Sequence, residues 1–213
     1  MSGALLPTTF VEDDYTPQTL PTSETVVRYW DSYRCRNAIK LKPGEFGISA
    51  AEEVMVTVIG TSVAVCLRDY SSNLAGMVHF MIPISGLSFL DQSTRFLAEE
   101  YGHFAFTRVL NAMEERGASR DGLEASVIGG ARLWRSSAPC ADASIRFVRG
   151  YLAKRKIPIG VEFHGPRLPK KVYFTHSERF PEVEVLKNYN NTIKSREQKY
   201  LRCVRADWML QSQ

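Results

Sequence analysis

Long apolar runs are missing from this chain of 213 residues. Nowhere do about 18 consecutive apolar residues occur, the length a membrane-spanning helix needs, and no basic stretch followed by an apolar one opens the N-terminus. The expectation is a cytoplasmic protein with no direct membrane insertion. Cysteine is scarce: Cys35, Cys66, Cys140 and Cys203 lie far apart and form no CxxC pair, which argues against a zinc knuckle or a redox motif and leaves free thiols as the expectation. Blocks of one charge are lacking as well. The 27 Lys and Arg are interleaved with 23 Asp and Glu for a net charge of +4, without the basic stripe and stacking aromatics of a nucleic-acid binder, so acidic protein partners fit better. No internal repeat is visible.

What is present suffices for a core: 44% of the residues are hydrophobic, enough for one domain with short additions. Residues 1–26 are rich in Thr and Pro around Glu12-Asp13-Asp14 and have no structural period, so they are expected to form a flexible segment. A domain over 27–188 and a C-terminal helical extension over 189–213 follow. Order is expected from Val27-Arg28-Tyr29-Trp30 through Ala38 to Lys42, with a turn at Pro43-Gly44-Glu45. Val54 to Ile59 and Val63 to Leu67 are β-branched runs around Gly60-Thr61-Ser62, read as strand, tight turn, strand, with Ser62 presented at the turn. Gly76 to Ile82 is a third strand with His79 in its middle, ended by Pro83 and the Ser85-Gly86 turn signal.

Helical spacing of Phe96, Leu97, Tyr101, Phe104, Ala105, Val109, Leu110 and Met113 predicts a helix over Thr94 to Arg116, stopped by Gly117. Leu123 to Ile128 reads as a strand entering Gly129-Gly130-Ala131, whose glycines permit close backbone approach or positive φ. A second helix is expected over Asp142 to Lys156, with Ile145, Val148, Tyr151 and Leu152 on its apolar side. Strands over Ile157 to Phe163 and Lys171 to Phe174 come next, and a polar, basic helix over Thr192 to Val204 has Ile193, Tyr200, Leu201 and Val204 as its apolar contacts. The mixture implies an α+β or α/β layered fold.

Three stretches together resemble one family: Gly60 to Asp69, the Gly76-Met77-Val78-His79-Phe80-Met81 pattern, and Gly129-Gly130-Ala131. They are similar to segments of the chemoreceptor glutamine deamidases, the CheD family, over about Tyr29 to Tyr200, and the Pro43-Gly44-Glu45 turn looks like the family's entry. The resemblance implies mixed β-sheets sandwiched with outer helices, similar to bacterial toxin deamidases. It also implies hydrolysis of glutamine side chains to glutamate, with release of ammonia, on the cytoplasmic domain of methyl-accepting chemotaxis receptors. No metal or organic cofactor is implied, and a CheC-type phosphatase is a further partner.

Amide hydrolysis needs a nucleophile, a base that later acts as acid, and water to resolve the acyl-enzyme; in the family a cysteine and a histidine do this. By the resemblance, His79 stands at the catalytic histidine and Ser62 at the position of the catalytic cysteine. The family's orienting threonine, six positions before the nucleophile, corresponds to Val56 here. Adjacent Thr57 replaces it only if a bulge or register shift turns it inward. Cys66 falls on a core position of a strand, roughly 10 Å or more from the turn at about 3.3 Å per residue. In the family's C-terminal glycine pair, His164 replaces the first glycine, where a positive φ would be strained. His164 is read as an exposed loop residue with a surrogate base as the lesser reading, and His103 and His176 as surface residues. Two functions stay open: a deamidase using Ser62, His79 and Thr57, or a catalytically weak or inactive adaptor that binds receptors or a CheC-type phosphatase.

Overall fold

The side-chain alternation of the central strands decides how the layers stack, because residues of opposite parity on one strand face opposite sides. In β5 (Val63–Asp69), Val63, Val65 and Leu67 enter one buried cluster while Ala64 and Cys66 enter another. A strand apolar on both faces must lie in a middle layer. In the computed structural model, which describes residues 26–49, 52–82, 92–133, 138–164, 167–187 and 192–211, it does.

The remaining strands are β1 (Val27–Asp31), β2 (Arg36–Leu41), β3 (Phe46–Ser49), β4 (Val54–Ile59), β6 (Leu74–Phe80), β7 (Leu123–Gly129), β8 (Ile159–Phe163), β9 (Lys170–Phe174) and β10 (Glu182–Val185). The helices are α1 (Gln92–Glu114), α2 (Ala138–Lys154) and α3 (Thr192–Gln211). Two mixed sheets form, in the orders β1-β2-β4-β9-β10 and β3-β6-β5-β7-β8. Each has one parallel pair, β2 with β4 and β7 with β8, among antiparallel ones. The fold is α+β, with two layers of sheet and a layer of helices.

Between the sheets lie Ile39, Leu41, Met55, Ile59, Ala64, Cys66, Met77, Ile128, Val172 and Phe174. The second sheet's other face carries Val65, Val78, Phe80 and Val127, and these pack with Phe106, Val109 and Met113 of α1 and Val148, Tyr151 and Leu152 of α2. The helices of the cluster therefore cover one side only. Gly76 of β6 lets α1 close in, since a Cβ there would meet the Met113 sulfur at 2.6 Å. Phe104 of α1 differs from its expected core place: it is 47% exposed, with the Arg108 guanidinium over its ring, and Phe106 fills the core instead. Ile145 is only partly buried against the cluster, and the side chains of Phe96 and Leu97 lie outside the described ones.

Residues 54–67 form the two strands expected on either side of Gly60-Thr61-Ser62, but β4 and β5 belong to different sheets and do not pair. Gly60-Thr61-Ser62 is a corner between layers, so its N–H groups have no ladder partners. Residues 1–25, Pro83, and Ser85-Gly86 lie outside the described residues. The four cysteines are free thiols.

Candidate active site

Parity also brings two polar residues face to face between the sheets. In β4, Met55, Thr57 and Ile59 point inward, while Val54 and Val56 pack on the outer face with Ala38 and Tyr173. The register of β4 is regular on both sides, Thr57 lying between Leu41 and Val172. Thr57 thus faces inward without the bulge or register shift that the sequence reading made the condition for it, and Val56 points the other way. In β6, His79 lies opposite Ala64 of β5. The small alanine sits on the same inter-sheet face as the imidazole.

The imidazole is fixed at both nitrogens. The Thr57 hydroxyl donates to the Leu41 carbonyl at 2.8 Å. With its one hydrogen committed there, it accepts from His79 Nδ1–H at 2.7 Å. That selects the tautomer with a bare Nε2, which lies 2.7 Å from Ser62 Oγ. Thr57, His79 and Ser62 therefore form one chain of contacts, the arrangement in which a base is held by a third group against a hydroxyl. The backbone of His79 is pinned too: its N–H donates to the Glu45 carbonyl at 2.9 Å and its carbonyl accepts from Gly44 N–H at 2.8 Å. Gly44 has φ +84° in the Pro43-Gly44 turn, closed by Glu45 N–H to the Lys42 carbonyl at 3.0 Å.

The corner at Gly60 to Ser62 is polarised by the glycine pair at the end of β7. Gly130 N–H donates to the Ser62 carbonyl at 3.0 Å and Ala131 N–H to the Gly60 carbonyl at 3.1 Å. Gly129 has φ +129°, and a Cβ there would meet the Ser62 carbonyl oxygen at 2.5 Å, so only glycine fits. With the carbonyls turned that way, the N–H groups converge on the other side as an anion-binding nest. They hold a carboxylate of the chain itself. Glu197 Oε1 accepts from Gly60 N–H at 2.9 Å, Ser62 N–H at 3.0 Å and the Ser62 hydroxyl at 2.5 Å, while Oε2 accepts from Thr61 N–H at 2.9 Å.

Burial dominates the electrostatics. Loss of solvation, then the Arg196 charge, lower the His79 imidazole to about 3 against a smaller opposing contribution from the Leu41 backbone. It is neutral at ordinary pH, as a base must be. Cys66 is buried between the sheets, and burial pushes its thiol far above the usual range. A thiol held protonated and away from the corner is no nucleophile. Ser62 is not presented to solvent as the turn reading implied but is fully buried.

His164 is half-buried, with Nδ1 3.3 Å from the Gly129 carbonyl and Nε2 3.3 Å from the Arg149 guanidinium. It is not one of the positive-φ residues, so the strain expected there does not arise. His176 is half-buried rather than superficial, and His103 is exposed with its ring against Phe147 and Tyr151.

The family description "CheD chemotactic sensory transduction" matches residues 81–181, a stretch C-terminal to Thr57, Ser62 and His79. Curated relatives reach further. The chain is 31% identical over 188 residues to the probable chemoreceptor glutamine deamidase CheD of Halorhodospira halophila, covering 87% of each chain. The chain belongs to the CheD family. Its similarity to the proteins of the same description from Hahella chejuensis (30% over 190 residues, 87% of this chain and 88% of the relative) and Shewanella oneidensis (34% over 176, 81% and 84%) is of the same order. Among solved structures, the hypothetical protein YfiH of Bacillus licheniformis aligns with a TM-score of 0.35 and 12% identity over 57% of this chain and 51% of that one.

In this CheD chain the site residue that sequence reasoning missed is Glu197. It lies on the buried face of α3 with Ile193, Tyr200 and Val204, all at most 4% exposed. The signal was there: in the pattern Ile193-Glu197-Tyr200-Val204, an acid takes a place on the helical stripe that packing reserves for apolar residues. No helix of the described residues is long and apolar enough to cross a membrane, and no cluster of metal-ligating residues occurs among them.

Proposed function

We propose that the protein hydrolyses glutamine side-chain amides of methyl-accepting chemotaxis receptors to glutamate. The observation that carries this reading is the juxtaposition of the Thr57-His79-Ser62 chain with a nest of backbone N–H groups that holds a side-chain carboxylate. A hydroxyl on a base beside fixed donors is what acyl transfer needs. The names of the relatives, chemoreceptor glutamine deamidases, supply the substrate class.

In the proposed reaction Ser62 Oγ attacks the amide carbon as His79 Nε2 takes the hydroxyl proton, and the N–H groups of the corner stabilise the oxyanion. The intermediate collapses as the imidazolium returns the proton to the leaving nitrogen, and ammonia departs. Water, deprotonated by the same Nε2, attacks the ester, the bond to Ser62 Oγ breaks with that proton, and glutamate is released. Thr57 holds Nε2 unprotonated throughout the resting state. An alkoxide is harder to form than a thiolate, so the serine makes this a slow enzyme relative to a cysteine at the same place.

A second reading is an adaptor that binds receptors or a CheC-type phosphatase without turnover. The serine, buried beneath a carboxylate of its own chain, favours it. Mass spectrometry of a receptor cytoplasmic fragment incubated with the parent, Ser62→Ala and Ser62→Cys decides. Glutamine converted to glutamate by the parent but not by Ser62→Ala supports the serine deamidase. Receptor binding with no conversion by the parent or by Ser62→Cys, even when Glu197 is replaced by alanine, supports the adaptor.

A further inference from the structure

We propose that α3 carries an internal copy of the reaction product: Glu197 occupies the place of the glutamate left by hydrolysis, and α3 must withdraw before an outside side chain can enter. The assignment rests on the hydrolase reading for what the pocket accepts, but the closure itself rests on geometry alone. Both oxygens of Glu197 are held by the N–H groups of the corner, and Oε1 is 2.5 Å from the proposed nucleophile. A glutamate side chain is chemically what deamidation of a glutamine would leave behind.

The occupation is blocking in two ways. Sterically, Thr57, Ser62 and His79 are each at most 1% exposed and Glu197 is buried to the same degree, so nothing reaches the hydroxyl while α3 is seated. Electronically, Ser62 has one hydrogen and two acceptors within reach, His79 Nε2 at 2.7 Å and Glu197 Oε1 at 2.5 Å. The carboxylate competes for the proton that the base would have to remove. The seat is built along one face of the helix. Ile193 abuts Gly60 and Tyr200 abuts Gly44, where an added Cβ would come within 3.0 Å and 2.7 Å of those side chains. These glycines bracket the site, one beginning the nest and the other pinning the backbone of His79.

The seat is tested without relying on turnover by placing a thiol at the nucleophile. In the full-length chain carrying Ser62→Cys, labelling by iodoacetamide is followed at residue 62 by peptide mass spectrometry, alone and combined with Glu197→Ala or with Glu197→Gln. Labelling of buried Cys66 in the same sample reports any general unfolding. Closure predicts labelling at residue 62 faster by at least about tenfold with Glu197→Ala, the factor for losing one charged hydrogen bond. It predicts a smaller increase with Glu197→Gln, which keeps the volume but replaces one acceptor oxygen with an NH2, and Cys66 protected in both. If Glu197→Ala exposes Cys66, the rate with Glu197→Gln decides in its place. Equal labelling rates with and without Glu197 overturn the proposal.

A receptor fragment incubated with the parent and with Glu197→Ala separates this proposal from the activity. Faster deamidation by Glu197→Ala supports closure, and slower deamidation overturns it. Faster labelling with no deamidation by any chain, including Ser62→Cys with Glu197→Ala, sinks the hydrolase reading and leaves the closure standing.

Discussion

Thr57 has a single hydroxyl hydrogen given to Leu41 and a lone pair given to the imidazole, so replacing it with valine leaves His79 Nδ1–H buried without an acceptor. An unsatisfied buried donor costs about 1–3 kcal/mol, and valine adds no volume to offset it. Thr57→Val is therefore expected to lower unfolding free energy by that amount in urea titrations, and, if the protein is a deamidase, to lower its rate further than stability explains. An unchanged midpoint would mean that Nδ1–H finds another acceptor. The sequence marked Ser62, His79 and Thr57, but it could not decide between Thr57 and Val56. That choice depends on which face of β4 turns to the second sheet, a fact of sheet stacking and not of local pattern. The parity of Met55 and Ile59 alone does not say which side is the inner one.

At the scale of elements, the turn at Gly44 does three things: it reverses the chain with φ +84°, holds the backbone of His79, and receives Tyr200 of α3. A Cβ there is strained by the backbone and would stand 2.7 Å from Tyr200 Cε2. Gly44→Ala is expected to cost roughly 1–3 kcal/mol, the scale for a non-glycine residue in a sparsely populated conformation. Because the clash falls on α3, hydrogen exchange in Ile193 to Val204 should rise more than in β5, whereas equal changes would mean a global effect. Elements with a long, one-sided period were legible from sequence, such as α1 and α2. That β4 and β5 lie in different sheets was not, since two short apolar runs around a glycine look alike whether the chain folds back or crosses to another layer. The short strands β3 and β10 carry too few residues for a period to show. Glu197 was hidden by the same kind of averaging, as one acid in a helix rich in charged residues.

Among the described residues, His79 and Asp69 are buried groups that bind a proton less readily in the fold than in the unfolded chain. His79 is lowered to about 3 by burial and by the Arg196 charge. Asp69, though pushed up by burial, is brought to about 2 by hydrogen bonds from the hydroxyl and N–H of Ser71, from Ser119 N–H and from the Ser72 hydroxyl. For both groups the unfolded chain binds a proton that the folded one does not, so acid favours unfolding. The windows differ. His79 acts between 6.5, its ordinary value, and about 3, and Asp69 acts between 3.8 and about 2. Full stability is retained above the first window, and within it each such group contributes a slope of up to about 1.4 kcal/mol per pH unit. Urea unfolding from about pH 2.5 to pH 8 should show stability falling below about pH 6.5, with a further loss near pH 3 that Asp69→Asn removes. His79→Gln, which cannot titrate, should flatten the upper part and leave the lower part in place. A parent profile that is flat between about pH 7 and pH 5 would mean that the imidazole takes up its proton as readily in the folded state as in the unfolded one, and that burial does not lower it.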